Sequence, residues 1–179
     1  MFHPDTQFLI DHWTALSRRA ETRGRIPDRA AVDPGAIGLR LPRAFMAQRS
    51  RDDAVIRLAG GWIEGFHGES LKDQGLLSLW RTASRPLVST ALTQTIREGR
   101  PVVIAALAGR IGAQIEVTLL PLRGPSGEPD RLLGLYAPAA TLTLGADEPR
   151  LLTARVSIGV GEAARAPLSL AAVHGRRIA

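Results

Sequence analysis

Residues 113 to 120 alternate strictly, with Ile115, Val117 and Leu119 facing one way and Gln114, Glu116 and Thr118 the other. A side-chain period of two puts them on a strand with one apolar and one polar face, so this stretch constrains the fold more than any other. Its neighbours extend the constraint. Residues 101 to 108 are almost continuously apolar, and 131 to 137 form another strand candidate. The short turn Arg110-Ile111-Gly112 and the longer loop Gly124-Pro125-Ser126-Gly127-Glu128-Pro129 join the three. Connections of this length produce sequential antiparallel hairpins, and the alternating strand should keep one wet face.

Upstream, residues 44 to 50 and 54 to 59 read as two more strands across the polar turn Ser50-Arg51-Asp52-Asp53. Asp33-Pro34 supplies a capping side chain and a first-turn proline for a short helix with Ile37 and Leu41 on one face, which Pro42 ends. After Gly60-Gly61, Trp62, Ile63 and Phe66 give one or two helical turns between glycines, and Leu76, Leu79 and Trp80 mark further short helical pieces. From Pro86 to Glu98 a longer helix sets Val88, Leu92, Thr95 and Ile96 on one face, with Gly99 just past its end. The order predicts an α+β fold: a five-stranded antiparallel sheet with a helical cap across one face.

Residues 6 to 23 read as an amphipathic helix capped by Thr6 or Asp5 and stopped by Gly24 and Pro27. Its apolar stripe, Leu9, Trp13, Leu16 and Ala20, is narrow, closer to a coiled-coil seam than to a wide core face. Such a helix either lies on its own domain or pairs with a second copy. Because an exposed Trp13 would be a liability on a free helix, these four residues are the expected homodimer interface.

With 179 residues, 45% of them hydrophobic, the chain can close one core of ordinary size. No window approaches the run of about eighteen apolar residues that a membrane span needs, and the first residues lack a basic-then-apolar leader, so the cytoplasm is expected. The absence of Cys excludes disulfides, thiolate metal sites and thiol-dependent flavin adducts. The net charge of +6 rests almost wholly on Arg, with Lys72 the single lysine. Its dense cluster, Arg18, Arg19, Arg23 and Arg25, falls where a helix C-terminus welcomes cations, and no aromatic residues interleave with it. Nucleic acid is therefore not the expected partner.

Read together, Asp33-Pro34, Leu41-Pro42 with Phe45, Ala59-Gly60, Gly68-Glu69, Leu79-Trp80 and Leu120-Pro121-Leu122 resemble, in type and order, the PAS domain, specifically a small alphaproteobacterial PAS-type family. The resemblance covers residues 30 to 138, with 1 to 29 as an N-terminal helix and linker and 139 to 179 as a tail. The tail is expected to be partly mobile, or else to add a strand to a sheet edge. The resemblance implies a pocket between cap and sheet lined by Ile56, Leu58, Trp62, Phe66, Leu76, Trp80, Val88, Leu92, Val103, Ile115 and Val117. These are apolar or aromatic, without the few placed polar groups that a ligand site usually has, so a filled core is favoured over a small apolar ligand.

No cofactor is expected. A haem-binding member would offer an axial His on the longer helix, and residues 86 to 98 contain none. His3, His12, His67 and His174 lack metal spacing and read as solvated or locally bonded imidazoles. The carboxylates at Asp52-Asp53, Glu98 and Asp147-Glu148 read as turn, helix-end and tail residues, and no serine sits on a nucleophile elbow. The expectation is a non-catalytic regulatory module that acts by contact with a signalling protein such as a sensor kinase.

Overall fold

Six strands, not five, make up the sheet, in the spatial order 53–59, 44–50, 131–138, 113–122, 102–108, 153–159, with antiparallel neighbours throughout. The computed structural model describes residues 1–20, 26–139, 142 and 149–163, and the backbone of 172–173 and 176–177. Helix α1 spans Pro4–Arg19, and α2, Pro34–Ile37, runs through a 3₁₀ segment, Gly38–Arg43, into the hairpin β1 (Ala44–Ser50) and β2 (Asp53–Ala59). Helix α3 (Gly61–His67), the 3₁₀ turns Leu76–Leu79 and Thr82–Ser84, and α4 (Arg85–Glu98) form the cap. The chain then lays down β3 (Val102–Ala108), β4 (Ala113–Leu122), β5 (Arg131–Pro138) and β6 (Thr153–Gly159). Ala172–Val173 and Arg176–Arg177 pair as a separate two-stranded sheet. Among the described residues, no helix is long and apolar enough to cross a membrane.

The sixth strand comes from the segment read as tail. Residues 153 to 159 pair with β3 from Val102 to Leu107, because β3 would otherwise be a long apolar edge with its backbone unpaired. The same stretch is tied to the cap: Arg81 N donates to Leu152 O at 2.9 Å, Leu152 N to Leu79 O at 3.0 Å, and Ala154 N to Ser84 Oγ at 2.9 Å. Residues 141, 143 and 144 of the tail, with Asp147, Glu148 and His174, lie outside the described residues.

Helix α1 lies on the sheet face opposite the cap, which corrects the expected dimer seam. Leu9 and Trp13 are buried in one cluster with Val103, Leu120, Leu122, Leu133 and Leu135 of the same chain, and Leu16 and Ala20 are half-buried. Trp13 Nε1 donates to Pro121 O at 2.7 Å. The buried face is wider than the spacing suggests, since Ile10 is buried beside Leu9 and Trp13, and the sheet face it covers is itself partly polar. Thr118 Oγ1 meets Thr6 Oγ1 at 3.4 Å, and the His3 backbone N–H donates to the Glu116 carboxylate at 3.0 Å. So the face of β4 expected to be wet is wet only at its start: Gln114 is exposed, Glu116 half-buried and Thr118 fully buried.

The helix also starts earlier than its spacing predicts. The His3 ring accepts from Asp5 N as the N-cap and Pro4 takes the first turn. Asp5 is thereby free to accept from Arg40 and Arg43 of the 3₁₀ segment, both at 2.8 Å. Burial works to raise the Asp5 carboxyl, but Arg43 and then Arg40 outweigh it and hold the pKa below its ordinary value. Arg18 and Arg19 occupy the last turn, as expected for dipole-complementing cations, whereas Arg23 and Arg25 lie outside the described residues. Asp33 caps α2, accepting from Gly35 N at 2.9 Å.

Candidate functional site

The cap closes over the inner sheet face on a single apolar core. Ile56, Phe66, Leu76, Trp80, Val88, Leu92, Ile115 and Val117 are all buried in it, and Trp62 is half-buried against it. Two of the residues expected there are elsewhere. Val103 faces α1, because alternation along β3 sends Val102, Ile104 and Ala106 to the cap. Leu58 is 59% exposed: β1 and β2 slip register at Arg57, so Leu58 no longer shares a face with Ile56.

Aromatic rings occupy the end of this core beneath α3. Trp62 stacks on Phe66 with centroids 5.6 Å apart, and Tyr136 meets Phe45, Phe66 and Trp62 edge-on at 6.0, 6.3 and 6.5 Å. Gly134 permits this, since a Cβ there would collide with the edge of the Phe45 ring. Asp53, expected in the turn, instead accepts from Leu77 N at 3.0 Å and holds the cap to β2. Gly68, with φ +78°, closes α3 in the left-handed region.

One polar pair sits within the aromatic cluster. His67 Nε2 lies 3.2 Å from Tyr136 Oη, and both residues are buried. Desolvation pulls the His67 pKa down to about 4; a backbone hydrogen bond with Arg150 opposes it and the Arg150 charge adds to it. Burial likewise pushes the Tyr136 phenol far up. The imidazole is therefore neutral at neutral pH, and the pair is a hydrogen bond between uncharged groups. Arg150 also donates from Nη1 to Phe66 O at 2.9 Å, bracing the C-terminal end of α3.

Of the two states the sequence leaves open for His67, solvated or locally bonded, the ring is bonded, and nothing in the sequence singles out Tyr136 or Arg150. The other described histidines are local. His3 caps α1, and His12 stacks on Phe8 at 6.2 Å. Glu98 pairs with Arg100 at 2.6 Å. Trp80 Nε1 is buried with no hydrogen-bond partner among the described residues.

No curated protein matches the chain. Solved structures similar to it include a light-oxygen-voltage domain studied with a flavin analogue, at 14% identity and TM-score 0.44, covering 55% of this chain and 77% of that one. The light state of the blue-light photoreceptor Aureochrome1 LOV is similar at 14% identity and TM-score 0.45, covering 61% and 90%. A fungal LOV domain photoreceptor is similar at 22% identity and TM-score 0.42, covering 73% and 93%. A family model described as a PAS domain matches residues 1–137. With that match extending over most of its length, the chain belongs to the PAS domain family.

Proposed function

We propose that this chain is a non-catalytic regulatory module of cytoplasmic signalling that works by associating with a signalling protein such as a sensor kinase. The observation that carries this reading is the attachment of the cap to β6. Leu79, Arg81 and Ser84 hydrogen-bond to Leu152 and Ala154, and β6 continues as an edge strand with Val156 and Ile158 exposed. A change in cap packing is thereby mechanically linked to a surface a partner can read. The aromatic packing beneath α3 fits a module that reads contacts rather than one that turns over a substrate. Affinity purification of the tagged chain from its native host, with mass spectrometry of what is retained, tests the reading. Repeated recovery of one signalling protein is the expected result, and repeated recovery of none would sink it.

A second reading, a small apolar ligand between cap and sheet, is favoured by one observation, the buried Trp80 N–H without an acceptor. A ligand oxygen there would satisfy it. Native mass spectrometry showing only the mass of the bare chain, with no thermal shift across a metabolite panel, removes this reading.

A further inference from the structure

On the outer sheet face α1 packs against β4 and β5, and β1 and β2 lie beside it under the 29–43 segment. Between that segment and the strands runs a groove of about 490 Å³ floored by Ala44, Met46 and Leu133, with Leu58 along its side and Arg29 at its rim. A smaller groove of about 320 Å³ shares Arg29, Met46 and Leu58 with it and continues to Arg57 and Arg131. Leu41 and Leu58 of the lining are exposed, and Leu39, in the same 3₁₀ segment as Leu41, is 94% exposed. The two linings contain three arginines and no carboxylate. Arg57 and Arg131 bond to Asp73 and Asp130 outside the linings, while the Arg29 side chain makes no bond among the described residues.

We propose that this groove receives an acidic amphipathic helix of a partner protein, with apolar side chains on the Met46 and Leu58 surface and carboxylates toward Arg29, Arg57 and Arg131. This rests on the association reading above and adds, at the end of the sheet away from β6, a second contact surface and the chemistry of its partner. Charge selects the occupant. A second copy would bring the same arginines against themselves, in a chain already at +6. A small ligand would leave the rim leucines in water, whereas a helix covers them. Addition of a strand to the β2 edge is blocked, because Gln74 O and Asp73 N already bond to Ile56 there. The groove wall rests directly on the cap: a Cβ on Gly60, which opens α3, would collide with the carbonyl oxygens of Leu41 and Pro42.

The probes are two fluorescein-labelled peptides of about sixteen residues, sharing leucines at helical i, i+3, i+4 and i+7 spacing, one with Glu and one with Lys elsewhere. Anisotropy titrations use the full chain. The Glu peptide is expected to bind about tenfold or more tighter than the Lys peptide, and to weaken as salt rises. Leu58→Asp and Arg29→Glu, both at exposed positions, should each weaken it about tenfold with melting unchanged. Equal binding of the two peptides, no binding of either, or indifference to both substitutions overturns the proposal. So does self-association of the parent, by sedimentation, that Leu58→Asp abolishes, since the occupant is then a second copy. If parent and Leu58→Asp capture the same protein from the native host while the peptides fail, the groove assignment falls and the association reading stands. If neither captures anything while the peptides discriminate, the reverse holds.

Discussion

His67 should give this protein an acid sensitivity that one substitution removes. In the folded chain its pKa lies at about 4, against an ordinary value of 6.5. Between those values an unfolded chain takes up a proton at this ring and the folded chain does not. A depressed imidazole therefore favours folding fully only above about pH 6.5, and its contribution is lost as pH falls through that window, levelling off below about pH 4. Each pH unit crossed within the window removes about 1.4 kcal/mol, so the full loss is about 3 kcal/mol. Arg150 is the charged group acting on the ring. Asp5, also depressed, releases its own stabilisation only as pH falls through the carboxylate range, so it adds little above about pH 4.5.

The assay is urea unfolding of the parent and His67→Gln at several pH values from about 7.5 to about 4.5, with m compared to confirm the same transition. Glutamine stays uncharged and can still bond to Tyr136 Oη, so the difference between the curves isolates the ring's titration. The parent should lose about 2 to 3 kcal/mol more than the variant over that range, with a slope approaching about 1.4 kcal/mol per pH unit near pH 5. Parallel curves would show that His67 is protonated as readily folded as unfolded, and that the ring is not buried against Tyr136.

Trp80→Ala should be among the most damaging single changes, costing about 3 to 5 kcal/mol by denaturation, whereas Trp80→Phe should cost much less because its Nε1 has no partner to lose. A Trp80→Ala melting point within a couple of degrees of the parent would contradict the cap's placement. Trp13→Phe deletes the bond to Pro121 O and should cost about 1 to 3 kcal/mol with no change of oligomeric state by light scattering; a change of state would return α1 to an interface between copies. Gly134→Ala must displace the Phe45 ring and should destabilise by about 1 to 3 kcal/mol, seen as altered near-ultraviolet circular dichroism of the aromatic cluster; an unchanged spectrum and melting point would mean that Phe45 does not lie across β5.

The elements are legible wherever a period is. β4 alternates and its inner residues Ile115 and Val117 fall where the alternation puts them, whereas β3 is apolar on both faces and gives no parity, which is why Val103 reads as a pocket residue and is not one. Leu58 fails for another reason: a bulge at Arg57 inverts the pattern after Ile56, and a single extra residue leaves no compositional trace. Tyr136 is hidden in a strand apolar on both faces, yet a signal exists. Gly134 in a strand interior marks a close approach, and Tyr136, two residues on, shares its face. Arg150 belongs to the segment that leads into β6, whose weak alternation offers little reason to expect pairing with β3.

The N-terminal helix shows why an apolar stripe alone cannot distinguish docking from dimerisation. Counting hydrophobic residues, Leu9, Trp13, Leu16 and Ala20 are too few for a generous core face, and that arithmetic points outward. What holds α1 down is the burial of Leu9, Ile10 and Trp13 together with complementary polarity: Trp13 N–H on the Pro121 carbonyl, Thr6 against Thr118, and the His3 backbone on Glu116. The partners lie more than a hundred residues away on a strand whose polar face, by its alternation, belongs in water. A narrow stripe on a helix and a half-polar face on a strand each read as exposure by themselves, and the two satisfy each other only when considered together, because Trp13, Thr6 and the His3 backbone find their bonds across the contact.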